Sequence, residues 1–222
     1  MQQFETLLYE SAKAHGHMCP GQVIGVRMAL LGCRLIGLDA PKNSGQIKKL
    51  LIYVEMDRCA ADAIAHVTGA QLGRRSLKFM DYGIMAASFI NLETGTAVRV
   101  ISTEDSRYLY DNYAPEVEDK KQRQIAGYKR MPDCLLFRVQ RVRVKYTDND
   151  LPGPTRQKMM CSQCAQVIRD GRHVTINGEI RCKPCAGNSY FDHAVDISWP
   201  DMGWSPENQE THKAEKDLPC KK

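Results

Sequence analysis

The sequence predicts a fold of mixed helix and antiparallel strand, followed by a small zinc ribbon. Three observations carry that prediction. Helical periodicity marks the chain as far as Leu38, β-prone runs broken by glycine turns fill residues 76–101, and four cysteines near the end form two knuckles, Cys161-Ser-Gln-Cys164 and Cys182-Lys-Pro-Cys185. The resulting organisation is a main domain over 1–150, a ribbon over 155–190 and a tail over 191–222.

Phe4, Leu7, Leu8 and Ser11 recur at helical spacing and predict an opening helix that ends near Gly16. A stronger helix runs from Gly21 to Leu38, with Pro20 at its start and Leu38-Asp-Ala-Pro41 at its end. Gly25, Ala29, Gly32 and Cys33 form a side along which another backbone can approach closely. Leu50–Val54 reads as a buried strand, and Ala60–Val67 as a helix stopped at Gly69. SLKFM, IMAASFINL and TAVRVI, separated by turns, predict a meander of three strands. Residues 105–129 are charged and helical in pattern, interrupted at Pro115.

The last long strand is expected over 135–146, where Arg138, Arg141, Arg143 and Lys145 alternate with apolar side chains. Alternation at period two is first of all a solvated strand face, and nucleic-acid binding is the minority reading of this stripe. Residues 148–154 read as a linker. In the tail, Tyr190, Phe191, Trp199 and Trp204 are expected against a domain body or a partner subunit, with disorder after about Glu207 and a free thiol at Cys220.

Composition narrows the class. At 222 residues, 43% hydrophobic and 26% charged, the chain suits a soluble globular protein with one good core and an appendix. No run approaches the roughly 20 apolar residues of a membrane span, and no signal peptide opens the chain, so a cytoplasmic location is expected. Nine cysteines, four of them in metal spacing, fit a reducing compartment better than a disulfide framework. A net charge of +5 does not by itself imply nucleic acid.

In the knuckles, a two-residue gap lets one turn aim two sulfurs at the same ion, and tetrahedral Zn²⁺ takes four thiolates. Cys161, Cys164, Cys182 and Cys185 are therefore expected to hold a structural zinc, with a small hairpin between them whose turn signals are Asp170-Gly171 and Asn177-Gly178. Such a site is closed, so chemistry must lie upstream. His15-Gly-His17-Met-Cys19-Pro-Gly21 puts two imidazoles and a thiol within five residues, donors suited to Zn²⁺ or another transition metal. The spacing alone serves equally a capped loop with a buried cysteine. A second cluster, Glu55 to His66, follows a strand and opens a helix; Cys59 falls at the helix N-terminus, where the dipole lowers a thiol pKa. Asp62 lies one turn on, and His66 reads as a packing or surface histidine.

HGHMCPGQVIGVRMA and EMDRCAADAIAHVTGAQLGRRSLKFMDYG together resemble the FmdE family, named after a protein encoded beside the molybdenum formylmethanofuran dehydrogenase, over residues 8–150. Longer members are similar in carrying a C-terminal ribbon of the kind shared with DksA/TraR proteins. The resemblance implies an α+β fold, a twisted, mostly antiparallel sheet packed with helices. It also implies a homodimer and a cleft in which His17, Cys19 and Cys59 meet at a metal, with His15 and Asp62 in or beside the ligand set. Asp62 and His15 are then the candidate acid/base groups, and the substrate is an unknown small molecule. The function expected is a metalloprotein with one exchangeable metal position, open to enzyme chemistry related to one-carbon or molybdenum/tungsten formylmethanofuran dehydrogenase systems. The alternatives are a metal-sensing or metal-delivery accessory protein, and a zinc-ribbon regulator of nucleic acid or polymerase. The last ranks lowest, because Asp170 and Glu179 partly balance the ribbon's Arg169, Arg172, Arg181 and Lys183.

Overall fold

A computed structural model describes residues 2–42 and 45–198. Its contacts divide the chain into two compact units. The first takes Met1–Lys158 with Arg169–Gly171; the second takes Met159–Ile168 and the described residues from Arg172 onward.

The first unit is α+β. Helices α1 (Gln2–His15) and α2 (Pro20–Leu35) precede β1 (Leu50–Val54), α3 (Cys59–Thr68), β2 (Leu77–Phe79), β3 (Ala86–Asn91) and β4 (Ala97–Ser102). Short helical turns and α4 (Ser106–Leu109) lead to α5 (Lys120–Arg130), then β5 (Phe137–Arg141). The strands form one sheet in the order β2-β1-β3-β4-β5. All five expected strands are present, but the three-strand meander is not. β2 pairs parallel with β1, across the α3 crossover, while β1, β3, β4 and β5 pair antiparallel in turn. Helix α2 also stops at Leu35, three residues early, because Gly37 adopts φ +73° and its N–H turns back to the Arg34 carbonyl. β5 is shorter than its alternation implies: β4 begins at Ala97, so residues beyond Val142 have no ladder partner there.

One face of the sheet packs on the helices through Ile52, Val54, Phe89, Val98, Val100 and Phe137. Leu51, Ile90 and Ala97 point to the other face, covered in part by Val142 and Val144. The small side of α2 makes the helix layer thin. A Cβ at Gly25 would stand 2.5 Å from the Ala60 carbonyl oxygen and 2.6 Å from Ala63 Cβ; one at Gly32 would enter the Phe89 ring. These glycines let α3 and β3 approach the α2 backbone.

The second unit is built on two short hairpins, β6 (Lys158–Met160) with β7 (Val167–Arg169), and β8 (Val174–Ile176) with β9 (Glu179–Arg181). Asn177 and Gly178, with φ +52° and +83°, close the second by the expected two-residue turn. Tyr190 is 96% exposed and meets Phe191 edge-on, whereas Phe191 lines a recess of the second unit with Gln163, Cys164 and Pro184. Trp199, Trp204, the expected disorder after Glu207, and Cys220 fall outside the described residues. No helix among the described residues is long and apolar enough to cross a membrane.

Candidate metal centres

Helix α1 ends at His15, and Gly16 at φ +98° turns the chain so that His17 folds back over it. The two rings lie 4.8 Å apart, tilted by 40°. Cys19 is the N-cap residue of α2, extended at φ −147°, and its thiol caps nothing. His15, His17 and Cys19 consequently bring their ligand atoms within 4.8 Å of one another. Exposure is graded across the group: His17 faces solvent, His15 is half-buried and Cys19 is buried.

From 47 residues away, the Asp62 carboxylate meets His15 Nδ1 at 2.9 Å. It does so instead of capping its own helix, whose N-cap Arg58 makes no side-chain cap either. With Nδ1–H donating to Asp62, Nε2 is left as the lone-pair nitrogen. That Nε2 is buried and has no hydrogen-bond partner among the described residues. A buried imidazole nitrogen without a partner, beside a second imidazole and a thiol, fits a transition metal; its other nitrogen on a carboxylate is the usual orientation of a metal-binding histidine.

Cys59 lies near Cys19, both beside Gly21, but is not among the residues whose ligand atoms all come within 4.8 Å of one another. The approach depends on Gly21, where a Cβ would stand 3.0 Å from Cys59 Cβ and 3.7 Å from Cys19 Sγ. Burial pushes the Cys59 thiol pKa up, the Cys19 contact adds to it, and the helix-start dipole does not reverse the shift. The expected lowering is thus absent without a cation beside it.

Sequence reasoning misses Gln22, which is fully buried and ties the site together. Its Nε2 donates to the Cys59 carbonyl at 2.7 Å, while its Oε1 accepts from Ser11 Oγ at 2.6 Å. One side chain thereby fixes α1, α2 and α3; the available signal is an amide among the apolar residues of a helix. His66 does more than its sequence context suggests. It lines a 410 Å³ recess with Ser11, His15, Asp62 and Gln71, walled by alanines. Its Nε2 is buried, 3.8 Å from Glu10 Oε2.

In the second unit Cys161, Cys164, Cys182 and Cys185 place their sulfurs within 4.8 Å of one another. Cys164 Sγ and Cys182 Sγ are 3.7 Å apart, against about 3.8 Å for two corners of a tetrahedron with ~2.3 Å metal–sulfur bonds. Backbone N–H groups, including that of Cys182 at 3.3 Å, point at Cys161 Sγ and lower its pKa to about 6. Neighbouring thiols push Cys185 up to about 12. Amide donors and converging sulfurs are what a thiolate-bound cation requires.

Residues 14–143 match the family described as FmdE, molybdenum formylmethanofuran dehydrogenase operon. A probable S-adenosyl-L-methionine-binding protein of Archaeoglobus fulgidus is 30% identical over 115 residues, which is 51% of this chain but only 31% of that protein. A tungsten formylmethanofuran dehydrogenase FmdE-like protein from Syntrophus aciditrophicus, known from a crystal structure, shares the fold. Its TM-score is 0.53 at 19% identity, over 85% of this chain and 94% of that one.

Proposed function

Because this chain belongs to the FmdE family, we propose that it is a metalloprotein with an open transition-metal site on His15, His17, Cys19 and Cys59, and a separate structural zinc on the four knuckle cysteines. The observation that carries the reading is His15: Nδ1 held by Asp62, Nε2 buried, unpartnered and grouped with His17 and Cys19. Bound there, a metal with a free position would supply Lewis acidity and an activated water.

The chain's own groups have distinct parts. Asp62 fixes the His15 tautomer and ring orientation, and its carboxylate, 68% exposed, faces solvent. Cys19 and Cys59 supply the sulfur wall, held by the Gln22 clamp. His17 stands at the solvent side. The recess beside His15, Asp62 and His66 is the approach for a small-molecule substrate. The protein works as a homodimer in the cytoplasm.

Metal analysis tests the reading. About two metals per chain are expected, falling by about one in Cys19→Ala and, independently, by about one in Cys182→Ser. The second variant should lose only the knuckle unit's folded signal. Unchanged metal in Cys19→Ala and Cys59→Ala alike refutes the upstream site.

A further inference from the structure

Strand β5 leaves one side of its backbone unpaired. Val142 N–H donates to the Ala97 carbonyl at 3.2 Å, and the register continues through Gln140 opposite Arg99 and Arg138 opposite Ile101. Antiparallel pairs alternate, so the N–H and C=O groups of Val139 and Arg141 point away from β4. β5 ends the sheet order, and among the described residues no strand takes those groups.

The same edge is basic. Arg138, Arg141, Arg143 and Lys145 are all exposed, and none makes an ion pair among the described residues. Between the arginines an apolar step interrupts the charge. Val139 is 42% exposed, and Leu35 of α2, 43% exposed, stands beside it in a groove of 530 Å³ that Arg141 also lines. Charge on an edge strand can serve only to keep edges apart. That role needs neither a groove nor an exposed valine and leucine at its floor.

We propose that this edge is a docking strand for an acidic, extended segment of a partner protein. The segment adds a sixth strand beside β5. Its backbone takes the free groups of Val139 and Arg141; on the face that carries Val139, one apolar side chain enters the Leu35–Val139 groove, and carboxylates at alternate positions beyond it face Arg141, Arg143 and Lys145. Charge decides against a second copy of this chain: pairing β5 with itself across a two-fold axis sets arginines against arginines, which is destabilising. Single-stranded nucleic acid is disfavoured because it binds by stacking on aromatics, and the stripe offers Tyr146 alone, at its far end. Nor does nucleic acid use a free strand edge.

The test is fluorescence anisotropy on the full chain, with a labelled peptide of about seven residues, an ordinary strand length, that carries one valine and three glutamates at alternate positions with threonine between them, so that all four side chains share one face. Binding is expected for this peptide and not for the counterpart with lysine in place of glutamate. Methylating alternate backbone nitrogens of the peptide should weaken binding by about tenfold or more, since at least two backbone hydrogen bonds are lost. The double variant Arg141→Glu/Arg143→Glu, whose exposed side chains are not part of the core, should weaken it at least as much, with an unchanged circular dichroism spectrum. Absence of binding overturns the proposal. So does equal binding of the methylated peptide, which would mean charge without strand addition. Tighter binding of an oligothymidylate of equal charge reassigns the stripe to nucleic acid. A change of oligomeric state in the double variant, read by sedimentation velocity, reassigns it to a contact between copies.

Discussion

Removing the Asp62 carboxylate should weaken metal binding in a graded way that depends on what replaces it. Asp62 Oδ2 lies 2.9 Å from His15 Nδ1. Losing such an outer partner of a metal-binding histidine typically costs 10–100-fold in affinity. Asp62 is 68% exposed, so water competes with its charge, and the lower end applies. For Asp62→Ala this gives about tenfold, or about 1.4 kcal/mol. Asp62→Asn keeps an acceptor oxygen for Nδ1–H but loses the charge. Since a charge-assisted hydrogen bond is about twice as strong as a neutral one, about half the free energy and roughly a threefold loss are expected. His15→Ala should exceed both. Competition against a chromophoric chelator reads all three, with the four-cysteine site as an internal reference. Asp62→Ala binding metal like the wild type, while His15→Ala loses it, would refute the carboxylate's part. Asp62→Asn falling below Asp62→Ala would refute the hydrogen-bond reasoning behind the magnitudes.

Two further outcomes follow from the packing and electrostatics. Gly25→Ala drives a methyl group to 2.5 Å from the Ala60 carbonyl oxygen, so α3 must shift; overpacking of this kind costs about 1–3 kcal/mol by chemical denaturation. The upstream metal should weaken with it, because α3 carries Cys59 and Asp62. His66 is kept below its ordinary pKa first by burial and then by Lys42, with Glu10 opposing. The unfolded chain therefore takes up a proton near about pH 6.5 while the folded chain does not, and stability attributable to this residue falls as pH drops through that value. His66→Gln should flatten that acid loss in melts between about pH 8 and 5, and parallel curves for variant and wild type would count against it.

How much of the fold is legible in the sequence depends on the range of the signal. Strand β1, both helix stops at glycine and the Asn177-Gly178 turn are readable, since each depends on a few adjacent residues. The partnership of β2 with β1 is not: β-prone runs carry no record of which neighbour they pair with, and only the α3 crossover decides it. The fading of β5 after Arg141 is hidden for a related reason, because its alternation continues where β4 no longer offers a partner. Gln22 escapes because its two hydrogen bonds reach 11 residues back and 37 forward.

The same contrast separates the two metal centres. Each knuckle draws its sulfurs from one tight turn, so its spacing in the chain is already its geometry. The upstream group is local in His15, His17 and Cys19; its orientation comes from Asp62, 47 residues on, and Cys59 comes up beside Gly21 from the same helix. Both reach the site on α3, which arrives there because Gly21 and Gly25 of α2 have no side chains and Gln22 holds the Cys59 carbonyl. The motif HGHMCPG, which ends at Gly21, is therefore incomplete without Gln22 and Gly25 that follow it. A peptide carrying the heptad alone has the donors but lacks the carboxylate that sets the His15 tautomer. Helix packing, through α2 and α3, is what turns a loop with two histidines and a cysteine into a site with one orientation.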